Sequence, residues 1–156
     1  MLKRIPFVDK RTDIALVRAN HSGAGGGVQI QGATSGDVPI VIPANGTPTD
    51  VAALTLVTTK GHISLEGSAF VVNSDTTPVN NPVTAILQID ELGVLIEGVF
   101  DIAPSAHDSV SIAFTTGVVA AGTYHCRLQL SCTPVGTVTV PGAPGPASAA
   151  LSVIAG

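Results

Sequence analysis

Four histidines, two cysteines and eleven carboxylates are the side chains here that could do chemistry, and their spacing limits what they can do. His21, His62, His107 and His125 include no pair at the His-x-His or His-x-x-x-His spacing that puts two imidazoles on one ion. His62 and His125 fall on the solvent side of alternating runs, so a metal would have to be shared between subunits. A serine hydrolase needs Ser, His and an acid converging in space. His107-Asp108-Ser109 makes them chain neighbours instead, and neighbours on a strand point to opposite sides. The Gly-x-Ser-x-Gly nucleophile elbow is missing. Glu66, Glu91 and Glu97, which a glycosidase could use, occupy ordinary surface or turn positions. The glycine stretch Gly23-Ala24-Gly25-Gly26-Gly27 ends on Val28 where a dinucleotide loop needs its third glycine, and no P-loop Lys-Ser/Thr appears. It reads as a hinge. The chain is therefore expected to be a non-enzyme, with no catalytic residue, no metal and no cofactor.

The elements around these residues are better specified than any site. In Tyr124-His125-Cys126-Arg127-Leu128-Gln129-Leu130-Ser131-Cys132, apolar and polar residues alternate. Successive strand residues face opposite ways, so this run predicts a strand buried on one side and wet on the other. Cys126 and Cys132 share its buried side. Six residues of strand separate their Cα atoms by roughly 20 Å, where a disulfide needs less than about 7 Å. Two free, buried thiols are expected, with a bridge between subunits as the alternative. Further runs at 38–42, 51–58, 62–72, 83–90, 94–100, 109–115, 138–140 and 147–154 are separated by turn signals. Asp90-Glu91-Leu92-Gly93 closes a hairpin. The segments 73–82 and 100–108 read as loops that could carry binding specificity. No convincing amphipathic helix appears. The expected fold is an all-β jelly-roll sandwich of eight or nine strands over residues 36–156, preceded by an extended arm and glycine hinge over residues 1–35.

Hydrophobic residues make up 45% of the chain and charged residues 12%, which argues against a disordered body. So low a charged fraction hints that copies of the chain cover part of its surface. The net charge of −4 is unevenly distributed. Residues 1–35 carry Lys3, Arg4, Lys10, Arg11 and Arg18 against Asp9 and Asp13, a net of +3. Residues 36–156 carry two basic and nine acidic side chains, a net of −7. The five basic residues are candidates for docking the arm on an acidic surface such as a neighbouring subunit. They are too sparse for a genome-binding arm, so nucleic acid is an unlikely partner. No apolar leader and no membrane-length apolar stretch is present, and a cytosolic origin is expected. With no Trp and a single inward Tyr, the chain lacks the usual platform for stacking a sugar.

Several strands also put large apolar residues on the side opposite the core. Phe70, Ile86, Leu95 and Val99 are the candidates for a subunit contact. A closed ring of identical subunits is the simplest form such a contact could take.

The strand after Gly61, the Asp90–Gly93 hairpin, Ala120-Ala121-Gly122-Thr123-Tyr124 opening a long strand, and the terminal Leu151-Ser152-Val153-Ile154 together carry a resemblance. From about Val51 to Gly156 the chain resembles the tumour-necrosis-factor-like jelly rolls of phage fibre, capsid-decoration and spore-surface proteins. That resemblance implies a homotrimer and a structural role on a larger lattice such as a capsid or tail. The setting it implies is a virion surface, with assembly in the host cytoplasm; the alternative setting is a spore surface. A receptor- or glycan-binding head is the alternative function. A collagen-like stalk, usual in the spore proteins, is absent, which favours the phage setting.

Overall fold

The structure is a computed structural model that describes residues 28–76, 80–133, 137–142 and 148–156. Lys3, Arg4, Lys10, Arg11 and Arg18 lie outside the described residues. Ten strands and no helix are present among the described residues. They are β1 (Gln29–Thr34), β2 (Ile40–Ile42), β3 (Thr49–Thr58), β4 (Ile63–Asn73), β5 (Asn81–Ile89), β6 (Gly93–Ile102), β7 (His107–Thr115), β8 (Gly122–Cys132), β9 (Val138–Val140) and β10 (Ala149–Ala155). One sheet runs β1-β10-β4-β9-β2, with β7 on the free side of β4; the other runs β3-β8-β5-β6. Every pairing is antiparallel. The two sheets pack face to face as a jelly-roll sandwich.

The inward residues of both sheets form one core. β8 contributes Tyr124, Cys126, Leu128, Leu130 and Cys132, as its alternation requires. The Tyr124 hydroxyl leaves the apolar layer and donates to the Ala120 carbonyl at 2.8 Å. From the other sheet β4 contributes Ile63, Leu65, Ala69 and Val71, with Gly67 between them. Gly67 has a packing reason to lack a side chain. An added Cβ would sit 2.8 Å from Leu128 Cδ1 and 3.0 Å from Leu87 Cδ2, so these leucines fill its place. The β5–β6 hairpin turns through Asp90, Glu91 and Leu92 to Gly93, whose φ of +87° suits glycine.

The tenth strand is the difference from the sequence expectation. β1 lies within the stretch assigned to arm and hinge, and Gln29–Thr34 pairs along its length with Ala150–Ala155 of β10. Its own sequence, Gln-Ile-Gln-Gly-Ala-Thr, has only one large apolar residue. Pairing and packing from β10, not local preference, make it a strand.

At one end of the sandwich a buried amide organises the loops. Asn73 Nδ2 donates to the carbonyls of Ile102 and Ala103, both at 3.1 Å, while its Oδ1 accepts from Asn81 Nδ2 at 2.9 Å. This joins the ends of β4, β5 and β6. The Ser105 N–H then donates to the Asp75 carbonyl at 2.9 Å, and the Asn73 N–H to Ala106 at 2.8 Å. The two loops singled out in the sequence are therefore neighbours, held side by side.

Candidate assembly interface

Among the described residues no histidines come together into a ligand set, and no group of three metal-binding side chains exists there. His21 lies outside them. The His62 ring nitrogen meets the Thr116 carbonyl at 2.9 Å, and the His107 ring packs on Phe70 with centroids 5.4 Å apart. Ser109 uses its backbone N–H to bond the Asp108 carboxylate at 2.7 Å, a local turn-like contact. Burial pushes the Cys126 thiol up to about 12, helped by the negative charges of Glu91 and Asp90. Burial likewise raises Cys132. Both thiols are free and buried.

The four candidate contact residues occupy different places. Phe70 is half-buried on the outer face of β4, in the six-stranded sheet. Ile86 and Val99 belong to the opposite sheet, where Ile86 is buried between Gln129 and Glu97 and Val99 is exposed. Leu95 packs against the core instead of facing out. Its strand carries a bulge: Leu87 pairs Ile96 while Gln88 pairs Val94, so Leu95 is an extra residue. A bulge shifts the two-residue alternation, and side-counting along β6 fails at that point. Alternation also cannot say which of two sheets an outward residue belongs to.

The outer faces of the two sheets differ in kind. On the six-stranded sheet, register places Gly32, Ser152, Glu66 and Ala113 in one row across β1, β10, β4 and β7. The next row is Thr34, Ala150, Ser68 and Ser111. Side chains this small leave the backbone sheet accessible to a close neighbour. Ile30 and Ile154, 42% and 44% exposed, pair at one corner of the face. Phe70, Val72 and the exposed Val41 lie towards the opposite corner. Glu66 is the one carboxylate in these rows, and no Lys or Arg appears in them.

The four-stranded sheet is polar and acidic outside. Arg127 bonds Asp50 at 2.9 Å and Asp90 at 2.6 Å, and Gln129 donates to Asp50 at 2.7 Å. Glu91 accepts from the His125 backbone N–H at 2.9 Å and from the ring at 2.5 Å. Desolvation alone would raise the Glu91 carboxyl, but the two bonds from His125, its own backbone N–H and the nearby His125 together hold it below its usual 4.5. A lowered folded value means that the contribution is present above the unfolded value. It is lost as pH falls through the folded one. Glu91→Gln should therefore reduce the fall in urea midpoint seen between pH 7 and pH 3, about the ordinary value of 4.5. An equal fall in both proteins would show that this pair does not contribute.

No family model matches the chain, and no curated protein does. Among solved structures it is similar to the Eiger TNF of S. frugiperda, with a TM-score of 0.50 and 11% identity over 81% of this chain and 92% of that one. It also aligns with murine APRIL at a TM-score of 0.45 and 12% identity, covering 83% of this chain and 99% of that one. A third alignment is with infectious bursal disease virus, Gx strain, at 0.48 and 11%, covering 83% of this chain but 37% of the viral one. The likeness to Eiger TNF shows a TNF-like jelly-roll fold, as the sequence resemblance implies.

Proposed function

We propose that this chain is a non-enzymatic structural subunit, a homotrimeric jelly roll that decorates or extends a larger assembly. A phage virion is the setting proposed, with the protein a capsid-decoration or fibre component at the virion surface. Its partners would be copies of itself and the lattice beneath, with the basic arm reaching a neighbour. The observation that carries the reading is the outer face of the six-stranded sheet. It is wide, carries a single carboxylate, Glu66, among the Gly, Ala, Ser and Thr of its central rows, and is apolar at two corners. The cores of subunit contacts are depleted in charge. Small side chains also lose little rotamer freedom when covered. Sedimentation velocity at micromolar concentration tests it. A single species of three times the 15.6 kDa chain mass is expected, and a species of 15.6 kDa contradicts it.

A second reading, a receptor- or glycan-binding head, is favoured by the loops at the Asn73 end, which are hydrogen-bonded side by side through Asp75 and Ser105 and through Asn73 and Ala106. Reproducible glycan-array binding that is abolished by loop substitutions would promote it; an array without hits would remove its support.

A further inference from the structure

Ahead of Val28, where the described chain begins, stand 27 residues with a net charge of +3, including Arg11-Thr12-Asp13-Ile14-Ala15-Leu16-Val17-Arg18. In the rest of the chain only Lys60 and Arg127 are basic. The complementary charge lies on the outer face and rim of the four-stranded sheet, where Asp50, Asp90, Glu91, Glu97 and Asp101 stand against Arg127, a net of −4 with His125 neutral. Three of these carboxylates are already engaged, Asp50 and Asp90 by Arg127 and Glu91 by His125. Glu97 and Asp101 meet no cation among the described residues. Both are on β6, the terminal strand of its sheet, with Val99 between them and Val94 nearby, 66% and 53% exposed. β6 therefore offers free carboxylates, bare valines and a sheet edge together. An extended segment with arginines at both ends of an aliphatic run matches all three, because an edge strand accepts an added strand through main-chain hydrogen bonds.

We propose that residues 11–18 of one copy dock along β6 of a neighbouring copy, arginines against Glu97 and Asp101 and the aliphatic run over Val94 and Val99. This rests on the assembly reading, which assigns segment and strand to different copies. The contact is heterologous: each copy gives a segment and receives one, and a contact through the other sheet leaves β6 free to link units.

The test uses full-length protein, with 15N-labelled and unlabelled chains unfolded together in urea, refolded as one mixture and treated with a carbodiimide that joins amines to carboxylates directly. Linked peptides are read by mass spectrometry. Links from Lys3 or Lys10 to Glu97 or Asp101 are expected, including pairs of mixed isotope. Arg11→Glu with Arg18→Glu should lower their yield about tenfold, as should high salt. The variant keeps both lysines and both acceptors, so a loss reports weakened docking. Links confined to single-isotope pairs would place the segment on its own copy and overturn the proposal. So would an oligomer whose arm lysines link elsewhere or not at all, which leaves the assembly reading standing. A monomer without these links would overturn both.

Discussion

Ser152→Arg combined with Ala113→Arg is expected to convert the oligomer into a folded monomer at micromolar concentration. The two positions flank Glu66 in the central row of the six-stranded sheet, on β10 and β7. In a lone chain both are exposed, so the new guanidinium groups stay in water and one can meet Glu66. Substitutions at such positions usually change the stability of a chain by less than about 0.5 kcal/mol. In a contact through this face, the same side chains would hold two sheets apart or bury unpaired charge, at about 4 kcal/mol or more, a thousandfold in association. Sedimentation velocity reads the mass, and far-ultraviolet circular dichroism checks that the β-sheet signal is retained. Melting temperature is the wrong control, because losing partners lowers it by mass action alone. An unchanged mass would mean that another surface makes the contact. Val38→Arg, at a 74% exposed position outside the strands, should leave the oligomer intact.

Leu128→Ala should have the largest effect on the fold. Leu128 is fully buried in β8, and both its methyl groups lie over the space that a Gly67 side chain would occupy. Truncation removes their burial and leaves a cavity that glycine cannot fill from the other side. Losses of this kind are about 3–5 kcal/mol, a large fraction of the roughly 5–15 kcal/mol available to a domain. The urea midpoint should fall accordingly, with little change in slope. Gly67→Ala alone should destabilise modestly, since leucine ends must shift to admit its Cβ. In the Leu128→Ala background the added methyl enters vacated space, so the two changes should couple by about 1 kcal/mol or more. Strict additivity would mean that the sheets do not meet at these residues.

Much of this architecture was legible in the chain. The alternation from Tyr124 to Cys132 gives β8 and its buried side directly, and Asp90 to Gly93 gives the β5–β6 turn. Other features were hidden for physical reasons. β1 has too few apolar residues to announce itself and exists because β10 offers it a ladder. Alternation alone puts Leu95 outside, because a bulge is an event between two strands, invisible in either alone. Phe70 was grouped with Ile86 and Val99 although a sandwich has two outer faces, and alternation within a strand does not say which sheet it joins. The small-residue face went unnoticed for a related reason. Gly32, Ser152, Glu66 and Ala113 are far apart in sequence, and only register makes them a row.

Hydroxyl-radical footprinting of the unmodified protein tests directly whether another copy covers the six-stranded sheet. In the lone chain Ile30 and Ile154 are 42% and 44% exposed, while Val57, on β3 of the opposite sheet, is 60% exposed. If another copy covers the six-stranded sheet, the two isoleucines should be oxidised about fivefold more slowly than in the Ser152→Arg, Ala113→Arg protein. Val57 should react equally in both. Isoleucines oxidised as fast in the native protein as in the variant would contradict the assignment of that face to self-assembly.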